Sequence, residues 1–278
     1  SVTSYCQQLK QQSTSMGQQH SQPNIIADKY TDYGQIVSDL RSLGVSRFQS
    51  LFFIDFSVSN NIRNNHNADL EQNPYYKILT AIEKIIKDFD SDQIFPTYRF
   101  GCQQSKDHCV LPLAKKESDC GPEQPHECEL QGFRSVIIEY QKACKNITKS
   151  GPTSLNAAFD KSVEYSQQMP GQHILSFVLT DGGSSCPLMD AKALLRASHH
   201  PINFIIISAG PVVDERLQML DNVLGREFDN CQFVSFSKLK NDRPNIDAET
   251  LALHMFMEIP ESYKAMVRLG LLESQQTM

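Results

Sequence analysis

What this sequence lacks narrows it early. Its eight cysteines (Cys6, Cys102, Cys109, Cys120, Cys128, Cys144, Cys186 and Cys231) form no C-x-x-C pair, so neither a zinc-ribbon nor a RING ligand pattern lies within the chain. No apolar run approaches the roughly 20 residues that a membrane-spanning helix requires, which argues against direct membrane insertion. No basic cluster interrupts a composition of net charge −6 and pI near 5.7, and nucleic acid is not an expected partner. The nucleophile elbow G-x-S-x-G, the phosphate loop G-x-x-x-x-G-K-[ST] and the dinucleotide fingerprint G-x-G-x-x-G are all missing. The N-terminus is polar and carries no signal-peptide pattern, and a start at Ser1 fits a piece cut from a longer protein.

What is present suits a globular protein with a sizeable core: 278 residues, 40% hydrophobic and 21% charged. Residues 1–30 are rich in Gln and Ser ("QQLKQQSTSMGQQHSQ") and offer little to bury, which predicts a flexible lead-in. Beyond it, short continuous apolar runs read as strands covered on both faces: "SLFFID" (50–55), "IFPTYRFG" (94–101), "HILSFVLTDGG" (173–183), "PINFIIISAG" (201–210) and "CQFVSFS" (231–237). Between them lie helical patterns. The clearest is 73–90, with Asn73 as N-cap, Pro74 at N1, and Ile78, Ile82, Ile85, Ile86 and Phe89 at helical spacing. Others fall at 132–144, 154–166, 187–197 and 212–222, and one long helical stretch closes the chain. Alternating strands and helices predict an α/β fold, a mostly parallel central sheet with helices on both faces.

Ligands of such sheets bind where strand C-termini open into a crevice. Two strands end there in an aspartate, Asp55 and Asp181. Asp55 begins the alternation Asp55, Ser57, Ser59, for which three readings compete: an aspartyl nucleophile, a helix cap, or a metal site. A nucleophile usually wants a second acidic residue beside it, whereas Asp55 is followed by Phe56 and Ser57. Capping by serine is commonplace when one motif is taken alone. With Thr153 in "GPTS" and Asp181 in "LTDGG", however, the set is five oxygen-bearing residues at one crevice edge. Oxygen-only ligation suits Mg²⁺, with Mn²⁺ also accepted. Ser57, Ser59 and Thr153 would bind through neutral hydroxyls, with Asp55 and Asp181 holding bound waters.

These residues carry a family resemblance. D-x-S-x-S, the threonine after G-P and the later T-D-G resemble the metal-ion-dependent adhesion site of von Willebrand factor A domains. "IDFSVSN", "NPYYKILTAIEKIIKDFDSDQIFPTYRFG", "GFRSVIIEYQKACKNITKSGPTS" and "HILSFVLTDGG" resemble, in order, the copine-type subgroup. "REFDNCQFVSF" and "LALHMFMEIPESYKAMVRLGLL" look closer to the copine-like domain of plant RING-type ubiquitin ligases. The resemblance implies a copine-type von Willebrand A (Rossmann-like) domain over 31–273. It implies a non-enzymatic module that binds a protein partner presenting Asp or Glu, whose carboxylate completes the coordination of Mg²⁺. The alternatives are the substrate-recognition part of a RING-type ubiquitin ligase, with the RING elsewhere, or the A domain of a calcium-dependent phospholipid-binding copine. A cytoplasmic location is expected, with neighbouring domains recruiting the protein to membrane or nucleus.

Two features are left over. The loop 102–128 holds four cysteines beside His108 and His126. Free thiols in a reducing compartment are favoured there over zinc or disulfides. That loop lacks the oxygen chemistry of the site and is expected to be dispensable for metal binding. Asn60, Asn61, Asn64, Asn65 and Asn67 crowd the segment after the serines and are expected to form a solvated rim that shapes ligand choice.

Overall fold

Apolar runs too long to leave one face wet form the middle of the molecule. The computed structural model describes residues 29–273, apart from 87–88, 90–91, 117–125, 212–213 and 243–245. The Gln/Ser-rich lead-in, Cys6 and Cys120 thus lie outside the described residues. In chain order the elements are α1 (Tyr33–Ser42), β1 (Gln49–Asp55), α2 (Val58–Ile62), α3 (Pro74–Ile86), β2 (Ile94–Phe100), β3 (Leu111–Pro112), β4 (Glu129–Gln131), α4 (Phe133–Asn146) and α5 (Asn156–Gln168). They continue with β5 (Ile174–Thr180), α6 (Pro187–Ala197), β6 (Ile202–Ser208), α7 (Glu215–Asp221), β7 (Cys231–Ser235), α8 (Phe236–Asp242), α9 (Ala248–Phe256) and α10 (Ile259–Arg268).

Strands β1, β5 and β6 are buried at every residue, as strands sandwiched between two helical layers must be. Alternate side chains divide the core: Phe52 and Ile54 join one apolar cluster, Leu51 and Phe53 the other. The first cluster packs under α1, α3, α4, α9 and α10, the second under α5, α6 and α7. The sheet order is β3-β2-β1-β5-β6-β7, with β4 also paired to β2. Strands β2, β1, β5, β6 and β7 run parallel. This is the mostly parallel, helix-covered α/β sheet expected from the alternation of strands and helices.

The chain leaves β1 for β2 on one side and later returns as β5 on the other. The strand order therefore reverses between β1 and β5, the place where open α/β sheets gather their ligands. The register pairs Ile54 with Leu179, which brings Asp55 and Thr180, the next residue of each strand, to the same edge.

Several sequence expectations shift at their boundaries. Asn73 does cap α3, its Oδ1 accepting the Tyr76 N–H at 2.9 Å. The expected long C-terminal helix is two helices, α9 and α10, broken at Met257 and Glu258. Pro260 stands in the first turn of α10, where its missing N–H costs no intrahelical bond. The short antiparallel strands β3 and β4 were not expected; both pair with β2, β3 from within the cysteine-bearing loop and β4 from just after it. Cys102, Cys109, Cys128, Cys144, Cys186 and Cys231 are free thiols.

Candidate metal centre

Asp55 is the last residue of β1 and is wholly buried. Its Oδ1 accepts the Ser57 N–H at 2.7 Å and its Oδ2 accepts the Thr180 hydroxyl at 2.7 Å. Its carbonyl accepts from the His66 ring at 2.9 Å. A carbonyl only accepts, so His66 carries its proton on Nε2. Burial holds that imidazole neutral, lowered to about 3. With both carboxylate oxygens engaged and no exposure, Asp55 is poorly placed as a nucleophile.

The serines were candidate helix caps. Ser57 does stand at the N-cap position of α2, yet its side chain makes no capping bond. Instead Ser57 Oγ and Ser59 Oγ lie 2.9 Å apart, and the Ser59 hydroxyl donates to Asp181 Oδ1 at 2.9 Å. Ser59 has spent its only proton on Asp181, so Ser57 donates to Ser59. Ser57 in turn accepts from Asn60 Nδ2 at 3.2 Å. The two hydroxyls thus form one directed chain that runs from the Asn60 amide to the Asp181 carboxylate.

Thr153 approaches from the loop before α5. Its carbonyl accepts both the N–H and the hydroxyl of Ser185, at 2.7 and 2.6 Å. Gly101, in the left-handed region at φ +71°, forms the floor beneath the group. A methyl group there would lie 2.8 Å from Asp55 Oδ1, 3.0 Å from Ser57 N and 3.0 Å from Thr153 Oγ1. The structure therefore brings all five residues expected from the sequence, Asp55, Ser57, Ser59, Thr153 and Asp181, to one place. Thr153 does not cap α5: the Leu155 and Asn156 N–H groups donate to Asp190 Oδ1, both at 2.9 Å.

Two carboxyls of this cluster are raised by their surroundings. Burial, and then the neighbouring Asp181, raise the Asp55 carboxyl to about 6, against the hydrogen bonds from Thr180 and Ser57. Burial likewise raises Asp181, opposed by Ser59 and Arg63. Two buried carboxylates side by side call for positive charge. Hydroxyl and carboxylate oxygens, together with a floor that only a glycine leaves open, fit a hard divalent cation. Among the described residues no group of three or more His, Cys, Asp or Glu converges as a metal site. A cation here would rely on hydroxyls.

Several residues were missed in the sequence. Asn60 and Asn65 are not rim residues: both are buried. Asn60 Nδ2 reaches Ser57 and the Asp55 carbonyl, while its Oδ1 accepts from Tyr75 at 2.8 Å and Asn65 at 3.1 Å. Asn61 and Asn64 do remain exposed. Asp190 joins Ser154 at 2.6 Å and also binds Ser184, bracing the Thr153 loop against the Asp181 loop. Arg63 was unremarked, yet its Nη1 donates to Asp181 Oδ2 at 2.8 Å and to the Asp181 carbonyl at 2.9 Å. Only Thr180 carried a signal, as the threonine of T-D-G.

The family model described as Copine matches residues 65–275, well over half of the chain. The chain belongs to the copine family. The matched stretch contains Thr153 and Asp181 and begins just after Asp55, Ser57 and Ser59. Copine family protein 2 of Caenorhabditis elegans is 30% identical over 94% of this chain, which spans 3% of that relative's length. E3 ubiquitin-protein ligase RGLG3 of Arabidopsis thaliana is 27% identical over 90% of this chain and 72% of its own length. Among solved structures, the manganese-loaded TRAP protein of Plasmodium vivax superposes with a TM-score of 0.49 at 12% identity, over 76% of this chain and 74% of that one. The mussel proximal thread matrix protein 1 with a zinc-occupied MIDAS motif gives a TM-score of 0.43 at 14% identity, over 80% and 46%. The copine assignment rests on the family match, and the fold on the strand order.

Proposed function

We propose that this copine domain is a metal-dependent protein-binding module whose centre is the Asp55, Ser57, Ser59, Thr153 and Asp181 cluster. The observation that carries the reading is the directed chain Ser57–Ser59–Asp181 beside Asp55 and Thr153, over a glycine floor. Ser57, Ser59 and Thr153 present hydroxyl oxygens. Asp55 and Asp181 orient those hydroxyls and accept from bound water. Mg²⁺ is the expected ion, with Mn²⁺ accepted, since both prefer oxygen donors. When bound it supplies an electrophilic point with an open position, which an Asp or Glu carboxylate of a protein partner fills. Neutral ligands dominate the set, so the ion keeps most of its charge for that outside anion.

Two narrower readings differ in what neighbours the domain. Similarity to plant proteins named E3 ubiquitin-protein ligases favours a substrate-recognition role, with ubiquitin transfer carried elsewhere. Similarity to copine family proteins favours an A domain recruited to phospholipid by a partner domain. In both, this chain acts by binding rather than catalysis, in a reducing cytoplasmic setting. Among the described residues no helix is long and apolar enough to cross a membrane.

The test is calorimetric titration of metal-stripped protein with Mg²⁺ and Mn²⁺, beside thermal melting. About one site is expected, with a rise in melting temperature that Thr153→Ala abolishes. Absence of binding by either ion, or an undiminished response in Thr153→Ala, would reject the centre. Ubiquitin transfer by this chain with E1 and E2 alone would reject the non-catalytic assignment.

A further inference from the structure

The metal reading leaves one cation unexplained. Arg63 follows α2 as its C-cap residue, on an exposed stretch, and its side chain is 41% exposed while that of Asp181 is 0% exposed. One guanidinium nitrogen, Nη1, reaches both the Asp181 carboxylate and the Asp181 carbonyl, at 2.8 and 2.9 Å. It therefore grips the end of β5 at the point where the candidate centre is built.

The oxygen that Arg63 holds is the one a metal site would need. Asp181 Oδ1 already accepts the Ser59 hydroxyl, and that bond survives if Ser59 also donates a lone pair to a cation. Oδ2 is the oxygen left to orient a metal-bound water, and Arg63 occupies it. A guanidinium and a divalent cation drawn to the same carboxylate also repel each other across a partly dry pocket. The arginine side of the pair is 41% exposed, so water takes up the released guanidinium while the arriving cation takes its place beside the buried Asp181 carboxylate. Without metal, the arginine shields a buried carboxylate whose neighbour, Asp55, is another.

We propose that Arg63 sets the metal affinity of the centre, as a tethered cation that competes with the divalent ion for Asp181. The inference rests on the metal reading above and goes beyond it, since it assigns a positioning role to a residue outside the ligand set. If the arginine holds Asp181 about nine-tenths of the time in metal-free protein, apparent affinity is about tenfold weaker than the bare site would give.

The experiment uses the full chain, stripped with chelator and dialysed, and titrated with Mn²⁺ alone. Free aqua-ion is read by electron paramagnetic resonance in wild type, Arg63→Gln, Arg63→Lys and the double variant Arg63→Gln/Thr153→Ala. Arg63→Gln should bind Mn²⁺ about tenfold more tightly, and Arg63→Lys should stay near wild type because a cation remains. The double variant should lose the tight site, which ties the gain to this cluster. In chelator, Arg63→Gln should melt below wild type, having stripped Asp181 of its partner, and Mn²⁺ should raise its melting temperature by more than it raises that of wild type. Equal or weaker Mn²⁺ binding by Arg63→Gln, with Thr153-dependent binding intact in wild type, overturns the role of Arg63 alone. Absence of Thr153-dependent Mn²⁺ binding in wild type and variant alike overturns the metal reading and this inference together. Should Arg63→Gln fold poorly, Arg63→Ala carries the same expectations.

Discussion

The Thr180 hydroxyl donates to Asp55 Oδ2 across 2.7 Å, tying the last residue of β5 to the last residue of β1. The two residues are 125 positions apart and both are buried. This bond points one carboxylate oxygen into the sheet, and the Ser57 N–H fixes the other. Thr180→Val keeps the shape and deletes the donor. Leaving a buried carboxylate oxygen short of a partner should cost about 1–3 kcal/mol of stability in metal-free protein, by urea unfolding. Loss of the orienting bond should also weaken Mg²⁺ binding by about 10- to 100-fold. If Mg²⁺ affinity is unchanged in a folded Thr180→Val protein, Asp55 does not serve the centre through this bond.

Gly101 supplies a sharper test of geometry. Gly101→Ala should cost about 1–2 kcal/mol for an L-residue in the left-handed region, plus the displacement of Asp55, Ser57 or Thr153. Gly171 has a similar backbone, φ +74°, but open space around it. Gly171→Ala therefore carries the backbone strain alone. Stabilisation by Mg²⁺ should vanish in Gly101→Ala and persist in Gly171→Ala. Equal responses in the two variants would mean that the floor is not part of a metal site.

How much of this was open to a reader of the sequence follows from where partners lie. Fully covered strands are apolar runs, so β1, β5 and β6 announced themselves, as did Asp55, Ser57 and Ser59 by their alternation. Core residues Ile54, Phe177, Leu179, Phe204 and Ile206 are all wholly buried, as their place in those runs implied. Arg63 was silent because its meaning lies 118 residues away, at Asp181. Asn60 hid among four other asparagines, and only the fold turns its side chain toward Ser57 and Tyr75. Asp190 stands in the first turn of α6, a common place for an acid, and only the fold shows that it serves the N-terminus of a different helix, α5. Strands of two and three residues, β3 and β4, carry too little periodicity to be seen.

The cysteine-bearing loop reads differently with β2 in place. Arg99 lies wholly buried in β2, and its guanidinium donates to the carbonyls of Pro112 at 2.7 Å and Lys115 at 2.6 Å and to Gln104 Oε1 at 2.8 Å. The Gly101 N–H donates to the Lys106 carbonyl at 3.1 Å. Replacing 103–127 with a Gly/Ser linker would strip a buried cation of these acceptors and free the glycine floor. The expected result is a loss of about 3–5 kcal/mol in urea unfolding, the scale for breaking a buried charge's pairing. Metal affinity should fall with it, contrary to the dispensable insert suggested by composition. A deletion variant within about 1 kcal/mol of wild type would restore that simpler view.

The last expectation concerns pH and sits away from the candidate metal centre. His173 is buried before β5, with its ring against Phe48 at 4.9 Å and its Nε2 2.7 Å from Asn203 Oδ1. An amide oxygen only accepts, so Nε2 carries a proton and donates it to Asn203. Burial lowers its pKa to about 4, against an ordinary 6.5, with the Asn203 bond opposing. Between those values the unfolded chain binds a proton that the folded chain refuses. The stability from His173 is therefore complete above pH 6.5 and declines as pH falls toward 4, by about 3 kcal/mol in all. Asp55 and Asp221, both raised to about 6 by burial and a neighbouring carboxylate, act in the opposite sense over part of the same range. The absolute pH profile therefore mixes the two, and the informative quantity is a difference. His173→Gln removes the titrating ring while an amide can still donate to Asn203. The variant should start less stable than wild type at pH 7 and gain on it by about 3 kcal/mol as metal-free protein is taken to pH 4. Urea unfolding at half-unit intervals reads this directly. A constant gap between the two proteins from pH 7 to pH 4 would show that His173 keeps an ordinary pKa in the folded chain.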